Sequence, residues 1–96
     1  MKRLEIIANQ SVQENILQSL EARIEDFSYT LIPAVHGKGK NGERLGTAIW
    51  PEENCMIICY LPDQQADTAA SLVEEVKLLF PQEGIKIFFV EASQKV

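Results

Sequence analysis

The stretch of sequence that decides the fold lies at residues 55–61 and reads Cys55-Met56-Ile57-Ile58-Cys59-Tyr60-Leu61. Every side chain in it is apolar or aromatic, and Pro62 follows directly. A short run of this kind is typical of a strand that is covered on both of its faces. We therefore predict a central β-strand at residues 55–61 and place the other elements around it.

Two amphipathic helices flank this strand in the sequence. The first begins at Ser11, which with Glu14 three residues later matches a capping box, and extends over about 14 residues. The second begins after Pro62 and ends before Pro81, because proline is tolerated at a helix start but cannot continue a helix. Their apolar stripes are Val12, Ile16, Leu20 and Ile24 in the first, and Ala66, Ala69, Leu72, Val73, Val76, Leu79 and Phe80 in the second.

Three further strands are predicted at residues 3–8, 28–35 and 85–91, and residues 47–50 are expected to be extended as well. Pro33 lies inside the second of these strands. Proline has no backbone N–H to donate to a neighbouring strand, so this strand should lie at an edge of the sheet or contain a bulge.

The elements follow the order β-α-β-β-α-β. Because each crossover between parallel strands is right-handed, this order favours a split β-α-β sheet, with the strands at 3–8 and 55–61 in the centre. We predict one domain over residues 1–96, of the α+β class. Its fold is a ferredoxin-like βαββαβ sandwich, in which a four-stranded antiparallel sheet has two helices on one face.

Large apolar side chains are expected on both faces of this sheet. They occur as adjacent pairs in three strands, namely Ile6–Ile7, Ile57–Ile58 and Phe88–Phe89. Neighbouring side chains in a strand point to opposite faces, and two helices can cover only one of them. We therefore expect a second copy of the chain to cover the other face in a closed homo-oligomer.

Composition excludes several classes of function. The net charge of −5 argues against general binding to nucleic acid or to an anionic membrane. Glu5 and Asn9 interrupt any signal-peptide core, and there is no apolar run long enough to span a membrane, so we expect a cytoplasmic protein without membrane insertion. Cys55 and Cys59 would lie about 13 Å apart on one strand face, too far for a disulfide or a shared metal ion, which indicates buried thiols.

The unusual part of the chain is a loop at residues 36–46, which holds four of the five glycines. It reads His36-Gly37-Lys38-Gly39-Lys40-Asn41-Gly42-Glu43-Arg44-Leu45-Gly46. Glycine lets backbone N–H groups converge on an anion, and Lys38, Lys40 and Arg44 add positive charge. We predict an anion-binding segment, with a solvated hairpin loop as the alternative. The spacing matches neither a P-loop nor a dinucleotide-binding fingerprint.

No catalytic constellation or metal site is predicted, and we do not expect an enzyme. Within the loop, Glu43 is the one carboxylate neighbour of His36, which favours a solvent-facing imidazole over a metal ligand. Trp50 is interpreted as an anchor at the loop base, and the acidic pair at residues 52–53 as solvated. With Asn41, these loop residues (His36, Glu43 and Trp50) are candidates for contact with a protein partner.

The segment Val35-His36-Gly37-Lys38-Gly39-Lys40 resembles the place where PII signalling proteins leave their second strand and enter the T-loop. Residues 44–54 resemble a PII-like subgroup in which the T-loop is shortened. The order of elements matches over essentially the whole chain. Two features depart from the family pattern: the junction at residues 81–84 is short and contains Glu83, and there is no basic C-terminal segment.

The resemblance implies a trimer of ferredoxin-like subunits that binds an adenine nucleotide (ATP, ADP or AMP) between subunits. It also implies a loop that docks on a regulated transporter, enzyme or regulator. Gly37, Gly39 and Lys40 would then lie near the phosphates. Two alternatives stay open. One is a metal-responsive trimer of the divalent-cation-tolerance type, with ligands from His36, Glu43 and the cysteines, and the other is an adaptor without a ligand.

Overall fold

The computed structural model describes residues 1–39, 42–44 and 53–96. In chain order the elements are β1 (Lys2–Asn9), a 3₁₀ turn (Gln10–Val12), α1 (Gln13–Arg23), β2 (Thr30–Val35), β3 (Gly37–Gly39), β4 (Gly42–Arg44), β5 (Asn54–Leu61), α2 (Asp63–Leu79) and β6 (Ile85–Glu91). Four strands form one antiparallel sheet in the order β2-β5-β1-β6, while β3 and β4 form a separate ribbon. This confirms the ferredoxin-like α+β fold and both predicted central strands.

The core lies between the two helices and one face of the sheet. At its centre Ile6 of β1 is opposite Ile57 of β5 and Ile87 of β6, and Ile57 is in turn opposite Leu31 of β2. Ile6 and Ile57 are completely buried. Helices α1 and α2 cover this row with buried leucine, isoleucine, valine and alanine side chains, of which Ile16, Leu20, Ala66, Ala69 and Val73 are examples.

Strand β2 has the edge position and the irregular pairing that the presence of Pro33 predicted. It pairs with β5 alone, and its register shifts between Ile32 and Val35, on either side of the proline. Proline cannot donate to the ladder, so the irregularity occurs where the backbone N–H is missing. The predicted edge position is confirmed, and the pairing with β5 is irregular at the proline.

The predicted cap of the first helix was wrong. Asn9, not Ser11, closes the helix start: its Oδ1 accepts a hydrogen bond from the backbone N–H of Ser11 at 3.0 Å. Asn9 is also buried, and its N–H donates to the carbonyl of Gly84 at 3.0 Å. An asparagine at a strand end can bond the backbone N–H two residues further along the chain. The cap therefore lies two residues before the predicted Ser11, and a 3₁₀ turn precedes α1.

The two cysteines are buried in the core, as predicted, and both are free thiols. Burial raises the pKa of both thiols, and it raises that of Cys59 to about 11. At pH 8 the thiolate, which is the reactive form, is therefore far scarcer in the folded chain than in the unfolded one.

We expect neither thiol to react with a thiol-specific reagent such as DTNB at pH 8 until the chain unfolds, when both should react fully. Unfolded cysteine loses its proton near pH 9, and folded Cys59 does so near 11. The unfolded state therefore binds fewer protons in this range, and the free energy of unfolding should fall as pH rises from about 9 to 11. Cys59→Ala should flatten this fall in denaturation curves; an unchanged pH dependence in that variant would contradict it.

The second face of the sheet carries no element among the described residues and is strongly apolar. Ile7, Met56 and Ile58 are half-buried there, while 48% of Phe88 and 45% of Val90 are exposed. We call this surface, away from the helices, the open face. Neither described helix combines the length and the apolar composition that crossing a membrane requires.

Candidate functional site

The candidate site is built on a junction at the end of the sheet from which the loop leaves. Gln10, directly after β1, connects two other segments there. Its backbone N–H donates to the carbonyl of Glu53 at 2.9 Å, and its side-chain amide donates to the carbonyl of Pro33. Gln10 therefore holds together β2, at Pro33, and the residue that precedes β5, Glu53.

A contact between His36 and Glu53 closes the base of the loop. His36 Nε2 lies 3.1 Å from Glu53 Oε2, so residues on both sides of the loop are in contact. Glu53 is half-buried: its carboxylate contacts His36 and its backbone carbonyl accepts from Gln10, so the interpretation of Glu53 as solvated was wrong. The sequence analysis considered Glu43 as the neighbour of His36, but the contact is with Glu53. The strand register would have indicated this contact. Val35 is opposite Asn54 in the antiparallel pair β2–β5, so the next residues, His36 and Glu53, face each other.

The first part of the loop is a short antiparallel ribbon rather than irregular chain. Gly37 pairs with Arg44, Lys38 with Glu43 and Gly39 with Gly42. The predicted anion-binding residues Gly37, Lys38, Gly39 and Arg44 are therefore brought together on two adjacent strands. The other predicted residues of the loop, Lys40, Asn41 and Trp50, and the extended stretch 47–50 lie outside the described residues.

The backbone at Gly37 is open enough to be approached. Among the described residues, a Cβ at this position would contact Asn54 Nδ2 alone, at 3.8 Å, which is an ordinary contact. Packing within the described residues therefore does not require glycine at this position. Close approach of a ligand to the backbone is a second reason for glycine, and it fits the predicted role of this segment.

A groove of about 430 Å³ lies at the opposite edge of the sheet, between α2 and β6. Two lysines, Lys77 and Lys86, line it together with Val73, Glu74, Ile85, Ile87 and Phe88. The sequence analysis missed this groove and considered only the short junction with Glu83. Lys77 belongs to α2 and Lys86 to β6, and these elements come together only in the folded chain. Neither composition nor sequence spacing therefore reveals that the two lysines share a groove.

The cysteines and His36 do not form one site. Cys55 and Cys59 are buried beneath the helices, whereas more than half of the His36 side chain is exposed at the loop base. Among the residues described, no three of the His, Cys, Asp and Glu side chains are grouped as metal ligands would be.

A family model for the nitrogen regulatory protein P-II matches residues 1–96. The chain belongs to the PII family. PII proteins are regulatory proteins, and the resemblance inferred from residues 35–40 is confirmed.

Solved structures of PII-like proteins resemble this PII chain closely. CPII from Thiomonas intermedia K12, a nitrogen regulatory PII-like protein bound to ADP, AMP and bicarbonate, is 25% identical, with a TM-score of 0.71 over 93% of this chain and 82% of that one. CPII bound to ADP and bicarbonate is 26% identical, with a TM-score of 0.70 and the same coverage. A DUF3240 family protein from Shewanella baltica OS155 has the same fold, with 15% identity and a TM-score of 0.69 over 99% of this chain and 93% of that one. No curated protein sequence matches this chain.

Proposed function

We propose that this PII-family chain is a homotrimeric regulatory protein that senses a small anionic ligand in a cleft between subunits. An adenine nucleotide (ATP, ADP or AMP) is the proposed ligand. The observation that carries the proposal is the position of two basic features, the glycine-rich ribbon beyond β2 and the lysine-lined groove beside β6. They lie at opposite edges of the same sheet.

The separation of these edges favours a cleft between subunits over a site within one chain. Strands β5 and β1 lie between β2 and β6, so the two edges are three strand spacings, about 14 Å, apart. One phosphate group cannot contact both features across that distance. In the proposed ring, however, the β2 edge of one copy would meet the β6 edge of the next, as in a head-to-tail interface. The Gly37–Arg44 ribbon and the Lys77–Lys86 groove would then face each other.

The open face supports the closed ring. Its apolar side chains would point toward the centre of a trimer, where each copy covers part of the face of the others. A face of this kind, left in water, would be a site of non-specific association. The proposed ring would remove the open face from water and would also bring the β2 edge of one copy next to the β6 edge of another.

The choice of ligand rests on relatives as well as on charge. CPII is bound to ADP, AMP and bicarbonate in solved structures, and it shares 25–26% of its sequence with this chain over most of its length. The ribbon and groove supply the basic side chains that a phosphate requires: Lys38, Lys77, Lys86 and Arg44, with Lys40 between the two ribbon strands.

In this proposal residues 36–54 transmit the signal, and the protein performs no catalytic step. The loop residues His36, Asn41, Glu43 and Trp50 would contact a regulated transporter, enzyme or regulator, and the 96 residues would act as one domain. Nucleic acid is not a proposed partner, because the net charge of −5 opposes it. A cytoplasmic location is proposed because two buried free thiols suit a reducing compartment.

Isothermal titration calorimetry with ATP, ADP and AMP, each with and without bicarbonate, tests the ligand. We expect Lys86→Ala and Lys40→Ala each to weaken nucleotide binding about tenfold or more, since a charge-assisted hydrogen bond contributes about 1.5–3 kcal/mol. Lys2→Ala is the matched control, because Lys2 lies at the far end of β1 and pairs with Glu91. If none of the three nucleotides binds, the proposal of an adenine nucleotide as ligand is wrong. If both lysine variants bind with wild-type affinity, the proposed location of the site is wrong.

A further inference from the structure

A charged pair lies on the central strand β1 of the open face, while Lys86 of β6 lies on the same face at the sheet edge, opposite Ile7. Arg3 and Glu5 of β1 both point to this side of the sheet, because they alternate with the buried Leu4. The register places Glu5 between Ile58 of β5 and Phe88 of β6, so its carboxylate is flanked on both sides by large apolar side chains. Arg3 lies in the next row, between Tyr60 and Val90.

Arg3 is held in place by contacts within its own chain. Its Nε donates to Glu5 Oε2 at 3.0 Å, and its Nη1 donates to Tyr60 Oη at 3.1 Å. Its guanidinium carbon also lies 5.9 Å from the centre of the Tyr60 ring. The arginine is therefore oriented before any second chain arrives, and about a third of its side chain (34%) and of that of Glu5 (28%) remains exposed.

Both groups have hydrogen-bonding capacity left for a second chain. A guanidinium has five N–H donors, and the contacts above use two of them. A carboxylate can accept several bonds on two oxygens, and the contact above uses Oε2 of Glu5. When the open face is covered, these remaining groups lose water and need partners, because a desolvated charge without a partner is strongly unfavourable.

We infer that Arg3 of one copy pairs with Glu5 of the next, and that this pair between copies specifies assembly of the chain with itself. The inference rests on the trimer of the proposed function and names the residues that select its partner. A patch with one positive and one negative group between apolar rows is complementary to a rotated copy of itself. A face with a single sign of charge would repel its own copy. A polar pair within an apolar interface fixes register and partner choice in this way.

Charge reversal and mixing test the inference. Arg3→Glu leaves two glutamates on the face, and Glu5→Arg leaves two arginines, so each variant alone should be at least tenfold weaker in assembly than the wild type. The two variants are then mixed in the unfolded state and refolded together. They should form oligomers that contain both chains, because two of the three contacts in a mixed ring again join opposite charges. Sedimentation velocity and differently tagged chains measure this.

Mixing separates contacts between copies from contacts within one copy. In the mixture each chain still lacks its internal Arg3–Glu5 pair, so recovered assembly can come only from pairing between chains. A mixture that assembles no better than either variant alone overturns the inference. A wild-type trimer with an equally stable Arg3→Glu trimer also overturns it while leaving the proposed function intact. A wild type that sediments as a monomer overturns the trimer itself.

A milder pair of variants covers the case in which charge reversal prevents folding, which circular dichroism would show. Arg3→Met keeps the length of the side chain and removes its charge, and it should weaken assembly about tenfold or more. Lys2→Met is the matched control, because this neighbouring residue points to the helix side of the sheet and should assemble like the wild type. Equal assembly of the two methionine variants overturns the inference.

Discussion

Phe88→Glu is expected to leave this chain monomeric, whereas Phe89→Glu at the next position should leave it assembled. Phe88 is 48% exposed on the open face, and Phe89 is 40% exposed on the helix side of the same strand. Burying a phenylalanine side chain contributes about 1.5–3 kcal/mol, and a closed ring would contain three such side chains. The new carboxylate would also lie opposite Glu5, so like charges would meet on the covered face.

The two variants form a matched pair because they change the same residue type, in the same strand, at similar exposure. Sedimentation velocity at micromolar concentration, together with circular dichroism to check folding, measures the outcome. Assembly of Phe88→Glu at wild-type strength would show that the open face is not the interface. Loss of assembly in both variants would indicate an interface at the β6 edge that involves both faces of the strand.

Ile57→Ala should lower the free energy of unfolding by about 2–5 kcal/mol, because it opens a cavity in a site that is completely buried. Ile57 lies at the centre of the core row, with Ile6 and Leu31 as its strand neighbours. A small domain has about 5–15 kcal/mol of stability in total, so this single change should remove a large part of it.

Ile58→Ala is the control for that change, since it removes the same atoms from the adjacent position on the open face. In the monomeric Phe88→Glu background we expect Ile58→Ala to cost less than half as much as Ile57→Ala in urea denaturation. In the assembled wild type the control should instead weaken the oligomer. Equal losses of monomer stability at the two positions would contradict the assignment of the two faces.

Much of the fold could be predicted because its signals are local. The apolar run at 55–61 and Pro33 each report on their own strand, and the position of a strand in the sheet follows from them. The start of the first helix could not be predicted in this way. Both Asn9 and Ser11 are good capping residues, and the choice between them depends on the contact of Asn9 with Gly84, which is distant in sequence.

The candidate site was predictable in composition but not in contacts. Glycine and lysine content indicated a candidate anion-binding segment at residues 36–46, and the ribbon brings its described members together. The partner of His36 and the groove at Lys77 and Lys86 depend on strand register and on the packing of α2 against β6. Such pairings join residues far apart in the chain, and one sequence contains no signal for them beyond the order of its elements.

The dipeptide Asn9–Gln10 has a mechanical consequence. Through backbone and side-chain hydrogen bonds it contacts Gly84 before β6, Pro33 within β2 and Glu53 before β5. It therefore acts as a tie between the two edges of the sheet, at the same end of the molecule. A displacement of the chain beside the lysine groove must either strain these bonds or move the loop base with it. Because the two edges of one chain belong to two different clefts of the proposed ring, a change at one cleft would be transmitted to its neighbour through these two residues.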